Sequence, residues 1–121
     1  MRWIVDGNNV MGSRPDGWWR DRPGAMQRLV SELDVFAAAS GEQVLVVFDG
    51  SPRDLRADCV EVAFARRSGR DAADDEIVRR TAADPAAGDL TVVTSDRALA
   101  ERVRAGGAAV EGAGDLLSRL E

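Results

Sequence analysis

Residues 43–50 read QVLVVFDG, a nearly continuous β-branched run that stops on an aspartate and a glycine. A strand with one face in water alternates apolar and polar residues, whereas an unbroken apolar run suits a strand covered on both faces, as in a parallel sheet. Residues 2–5 (RWIV) read the same way and run into Asp6, the turn signal Gly7, and two amides, Asn8 and Asn9. LTVVT at 90–94 makes a further strand and runs into Ser95-Asp96.

Helical patterns lie between these strands. Met26, Leu29, Val30, Leu33, Phe36 and Ala37 recur at helical spacing, Asp21 and Pro23 mark the first turn, and Gly41 follows as a C-cap. The stretch from Gly7 to that helix, with Pro15, Gly17 and the Trp18-Trp19 pair, reads as a loop. CVEVAFA at 59–65 alternates as a strand. A helix follows over 72–83, with Asp71 as a candidate cap, and Asp84-Pro85 stops it. Ser95-Asp96 begins a helix through about Arg104, and a short strand at 108–110 and a terminal helix at 115–120 complete the chain. This alternation predicts a doubly wound, mainly parallel sheet in one domain over residues 1–121. Ligands bind such sheets outside the carboxyl ends of the strands. Asp6, Asp49 and Asp96 fall on that edge, and a right-handed crossover brings Asp74 and Asp75, in the ADDEI helix at 73–77, to the same edge.

Composition narrows the chemistry. The chain has no histidine, tyrosine or lysine; all 16 cationic side chains are arginine. Histidine-based nucleophile activation, Schiff bases and a Walker-type phosphate lysine are therefore excluded. Hydrolysis has to run through carboxylates, a metal ion, or both. Converging carboxylates repel unless a cation neutralises them, and oxygen-only sets hold hard ions such as Mg²⁺ or Mn²⁺. Each acid also has an ordinary reading: Asp74, Asp75 and Asp96 as helix-start residues, Asp49-Gly50 as a turn. Asp6 with Asn8 and Asn9, amides that would orient it, is the hardest to read as a turn alone. A phosphoacceptor receiver domain also has acids at strand ends but needs a lysine.

The net charge of −5 is no footprint of a simple nucleic-acid binder, yet Arg14, Arg20, Arg22 and Arg28 cluster in one stretch and Arg53, Arg56, Arg66, Arg67 and Arg70 in another. Arg53, Arg66, Arg67 and Arg70, with Thr94 and Ser95, are the candidate phosphate contacts. Trp18-Trp19 reads as a core anchor or as a base-stacking pair. The lone cysteine, Cys59, reads as a buried small apolar residue. No apolar run approaches the ~20 residues that span a bilayer and the N-terminus shows no signal pattern, so the cytoplasm is the expected compartment.

Taken in order, VDGNNV, VVFDG, VEVAF, ADDEI and VVTSDRAL resemble a NYN domain of the YacP-like branch, over nearly the whole chain. The resemblance implies a three-layer α/β/α PIN-like fold and a metal-dependent ribonuclease. It implies metal-binding, catalytic roles for Asp6, Asp74 and Asp96, with Asp49 and Asp75 bound to the metal or just behind it. Asn9 matches the asparagine of the family's D-G-Y-N segment and joins the catalytic candidates. Two departures stand out: Asn8 replaces the tyrosine of that segment, and the chain is short between Asp49 and Cys59. RNA is the implied partner, alone or within a ribosomal or other RNA–protein assembly. A non-catalytic RNA- or nucleotide-binding module on the same fold is the alternative.

Overall fold

The computed structural model describes residues 1–65 and 72–120. Strands β1 (Arg2–Asp6), β2 (Gln43–Phe48), β3 (Glu61–Phe64), β4 (Leu90–Val93) and β5 (Ala109–Glu111) form one sheet in the order β3-β2-β1-β4-β5. Every neighbouring pair is parallel. Helices α1 (Gly7–Gly12), α2 (Arg22–Ser40), α3 (Ala72–Ala83), α4 (Arg97–Ala105) and α5 (Ala113–Leu120) cover its two faces. The α/β class expected from the strand runs and the three-layer arrangement implied by the resemblance are thus observed.

The period of two along each strand explains why the central runs lack polar residues. Trp3, Val5, Val44, Val46 and Phe48 pack with α1, α2 and α5 on one face. Ile4, Val47 and Val92 pack with α3 and α4 on the other. Val5, Val46, Val47 and Val92 are completely buried, and each such side chain contributes roughly 1.5–3 kcal/mol. The helix α2 begins where Asp21 accepts the Gly24 N–H at 3.1 Å and ends at Gly41, whose φ of 72° is left-handed.

Three expectations are corrected. The segment after Gly7 is not all loop. Asparagine and glycine are poor helix formers, but α1 is held by burial of Val10 and Met11 and is followed by a 3₁₀ turn over Trp18–Arg20. Gly7 is required there, because a Cβ would lie 2.5 Å from Cε1 of Phe48. The third strand is shorter than 59–65, and Cys59 is exposed rather than buried. The N–H groups of Asp58, Cys59 and Val60 donate to the carboxylate of Asp34 on α2 at 3.0, 3.0 and 2.9 Å, which holds this stretch against the helix.

The connection from β2 to β3 contains no helix. It leaves the carboxyl end of β2 and descends beside α2, exchanging two hydrogen bonds between Arg56 backbone and the Gln27 amide at 2.8 and 2.9 Å before it reaches Asp34. Leu55 packs into the core on the way. No described helix is long and apolar enough to cross a membrane.

Candidate active site

Strand β1 is central, with β2 on one side and β4 on the other, so its carboxyl end is the point at which the strand order reverses. Asp6 is the last residue of β1, and only 4% of it is exposed. A buried carboxylate is costly unless it is hydrogen-bonded. Thr94 Oγ1 donates to Asp6 Oδ2 at 2.9 Å. Even so, burial pushes the Asp6 carboxyl up to about 6. The charges of Asp74 and Asp49 push the same way, while the Thr94 hydrogen bond and the nearby Asn9 N–H oppose them.

The two asparagines do something the sequence reading did not foresee. Asn8 Oδ1 accepts the backbone N–H of Asp49 at 2.7 Å, and Asn9 Oδ1 accepts that of Ser95 at 2.8 Å. One amide clamps the exit of β2 and the other the exit of β4. Neither amide side chain serves Asp6. Thr94 is shared as well: its hydroxyl accepts the Asp96 N–H at 3.1 Å while donating to Asp6. Ser95 Oγ accepts the Ala113 N–H at 3.0 Å, which fixes the start of α5.

The candidate acids separate by environment. Asp49 Oδ1 accepts the Ala73 N–H at 2.7 Å, so an aspartate from the end of β2 caps the first turn of α3. Asp74 lies in that turn, and its charge acts on Asp6. Asp75 is drawn outward into an ion pair with Arg102 at 3.1 Å. Asp96 caps α4, its Oδ1 accepting the N–H groups of Ala98 and Leu99 at 2.9 and 3.2 Å. Asp6, Asp49 and Asp74 are thus electrostatically coupled, and Asp96 is joined to Asp6 through the Thr94 hydroxyl.

Among the described residues no group of three or more His, Cys, Asp or Glu side chains forms a ready-made metal cage. Mg²⁺ does not require one, because it is held by one or two carboxylates and completes its shell with water and substrate phosphate. A buried carboxylate at the switch point, close enough to a second acid to feel its charge, fits that demand.

The arginines divide similarly. Arg53 is exposed at the carboxyl side of the sheet, whereas Arg66, Arg67 and Arg70, with the candidate cap Asp71, lie outside the described residues. Arg14 is occupied by Glu32, at 2.7 and 2.6 Å. A cavity of about 740 Å³ opens at the opposite edge, between Arg2, Glu42, Glu61, Arg80 and Asp84, and contains none of the candidate residues. A smaller one of about 390 Å³, lined by Thr94, Ser95, Asp96, Arg97 and Arg104, adjoins the acids. The chemistry of the side chains, not cavity size, locates the site.

Comparison with known proteins agrees with this geometry. A family model described as the YacP-like NYN domain matches residues 3–121. No curated protein matches the chain. Among solved structures, a mutant of Rae1 (YacP) from Bacillus subtilis is 26% identical and superposes with a TM-score of 0.84, covering 98% of this chain and 74% of that one. A second structure of Rae1 (YacP) from the same organism is 25% identical with a TM-score of 0.82, covering 99% and 73% respectively.

Proposed function

Because the chain belongs to the family of YacP-like NYN domains, we propose that it is a metal-dependent ribonuclease whose reacting centre lies at the carboxyl end of β1. The observation that carries this reading is the buried Asp6 carboxyl, raised to about 6 and facing the charges of Asp74 and Asp49. Such a group is kept by a protein that supplies it with a cation. Asp6 and Asp74 would hold one Mg²⁺ or Mn²⁺. When bound, the ion supplies an activated water and counter-charge for the departing 3′-oxygen.

The remaining residues set the frame. The Thr94 hydroxyl holds the Asp6 carboxylate in one orientation. Asn8 and Asn9 keep the exits of β2 and β4 at fixed positions beside it. Asp49 anchors the helix that carries Asp74. The Asp96 backbone N–H donates to the hydroxyl that holds Asp6, while its carboxylate caps α4, and Asp75 adds negative charge further out. Arg53, Arg66, Arg67 and Arg70, with Thr94 and Ser95, would contact the RNA backbone. In an acidic chain they are few, which suits RNA presented within a larger assembly in the cytoplasm.

Purified protein should cleave RNA with Mg²⁺ or Mn²⁺ and not with EDTA, and Asp6→Asn should reduce cleavage by at least ~100-fold while the fold is kept. Equal cleavage by parent and variant in Mn²⁺ would remove Asp6 from the reaction. A module that binds RNA without cutting it is the second reading, favoured by the diversion of Asp75 to Arg102 and of Asp96 to the start of α4. Absence of metal-dependent cleavage by highly purified protein that still binds RNA selects it.

A further inference from the structure

We propose that Trp19, with Arg20 and Arg22, forms a stacking subsite for single-stranded RNA beside the acidic edge. This rests on the reading of the chain as an RNA-directed protein and adds a contact that the arginines of residues 53–70 do not supply. Trp19 is 58% exposed, the only large aromatic side chain so placed among the described residues. Scattered exposed apolar residues need no explanation by themselves. The surroundings of Trp19 distinguish it.

Trp18 is partly buried against the core and meets Trp19 edge-on, with centroids 5.8 Å apart and planes at 89°. One indole thus anchors the other on a 3₁₀ turn that runs straight into the capped start of α2. The guanidinium of Arg20 lies 5.8 Å from the Trp19 ring and that of Arg22 lies 5.2 Å from the Trp18 ring. Neither arginine forms an ion pair with a carboxylate among the described residues, although their neighbours Arg14 and Arg28 are paired with Glu32 and Asp16. A flat apolar face flanked by two cations, on a chain of net charge −5, complements a base and its phosphates.

The position also fits. Asp34 on α2 is level with the start of β3, because it accepts the N–H groups of residues 58–60. Arg22 lies twelve residues earlier on that helix, about 18 Å at ~1.5 Å per residue, which is close to the length of a strand such as β2. The Trp19 turn is therefore at the level of the carboxyl ends of the strands, where Asp6 sits. A base on Trp19 would leave the rest of the strand running along that edge.

The test is binding of a fluorescein-labelled single-stranded oligoribonucleotide, followed by anisotropy in EDTA, so that neither metal nor cleavage enters. Trp19→Ala should weaken binding by about 5- to 150-fold, the range one stacked base gives, and Trp19→Phe should restore most of it. Arg20→Ala with Arg22→Ala should lower the slope of log affinity against log salt by about 1.4, or ~0.7 per lost phosphate contact. Trp19→Ala binding as tightly as the parent sinks the proposal and leaves Trp19 as a contact for protein; so does a parent that fails to bind single-stranded RNA. A chain that binds through Trp19 yet never cuts would leave this inference standing and remove only the nuclease reading.

Discussion

Replacing Asp6 by asparagine should stabilise the metal-free protein at neutral pH and leave its stability in acid nearly unchanged. The Asp6 carboxyl stands at about 6 instead of 3.8, first because it is buried, with Asp74 and Asp49 adding to the shift. The unfolded chain releases this proton near 3.8, while the folded chain keeps it to about 6. Between those values the folded state binds more protons, so stability falls as pH rises, and the full cost is present above about 6. At ~1.36 kcal/mol per unit, a shift of about two units amounts to roughly 3 kcal/mol. The amide keeps the shape and can still accept the Thr94 hydroxyl. In a chain of this size ~3 kcal/mol moves the unfolding midpoint by roughly 10 °C.

The assay is thermal unfolding by circular dichroism, in EDTA, at about pH 3.5 and about pH 8. Other shifted groups such as Asp34, Glu76 and Asp84 are common to both proteins and cancel in the difference. The midpoints should converge in acid and separate at pH 8, with the variant higher. A gap of the same size at both pH values would refute the reasoning, and so would a parent more stable than the variant at pH 8. Mn²⁺ should then nearly close the gap. At a hundred times its Kd, an ion bound to the folded parent adds ~2.7 kcal/mol, and the variant should gain little.

Asp49→Ala, which frees the Ala73 N–H, should cost about 1 kcal/mol in urea unfolding and weaken Mn²⁺ binding by misplacing Asp74, whereas Asp49→Asn should retain both properties. Equal loss of Mn²⁺ affinity in the two variants would make Asp49 a direct ligand instead. Gly7→Ala should cost about 1–3 kcal/mol, read as a lower denaturant midpoint, because the added methyl meets the Phe48 ring; an unchanged midpoint would show that the ring yields freely. Asp34→Ala withdraws the acceptor of three N–H groups and should cost about 1–3 kcal/mol. Burial pushes the Asp34 carboxyl up, but those three donors outweigh it and leave it below its usual 3.8. Its contribution is therefore full above 3.8 and lost as pH falls through the lower folded value. A parent–variant gap that stays constant into acid would contradict that assignment.

What was legible in the sequence was whatever depends on neighbours along the chain. The apolar runs at 2–5, 43–48 and 90–94 and the stripe from Met26 to Ala37 announced the sheet and α2, because burial on both faces of a strand and on one face of a helix leaves a local pattern. The exposure of Cys59 was hidden, since it follows from an acceptor 25 residues away, Asp34. Asp49 as the cap of α3 was hidden for the same reason: it lies 24 residues before its donor, Ala73. The sequence aims the amides of Asn8 and Asn9 at the adjacent Asp6, whereas their partners, the N–H groups of Asp49 and Ser95, are 41 and 86 residues distant. The Trp18-Trp19 pair was treated as one unit, yet the turn sends one ring inward and the other into water.

The helix-free path from β2 to β3 has a consequence for how this architecture varies. Its lower half is pinned to α2 through Gln27 and Asp34, while Gly50, Ser51, Pro52, Arg53 and Asp54 stand in solvent at the rim nearest Asp6. Closure entropy grows only by about 0.6 kcal/mol for each doubling of a flexible loop. Extra residues inserted at this rim leave both pins and the sheet register untouched while adding surface next to the acids. Grafts for altered substrate choice belong there, where evolution and engineering alike can lengthen the chain without retuning the interior.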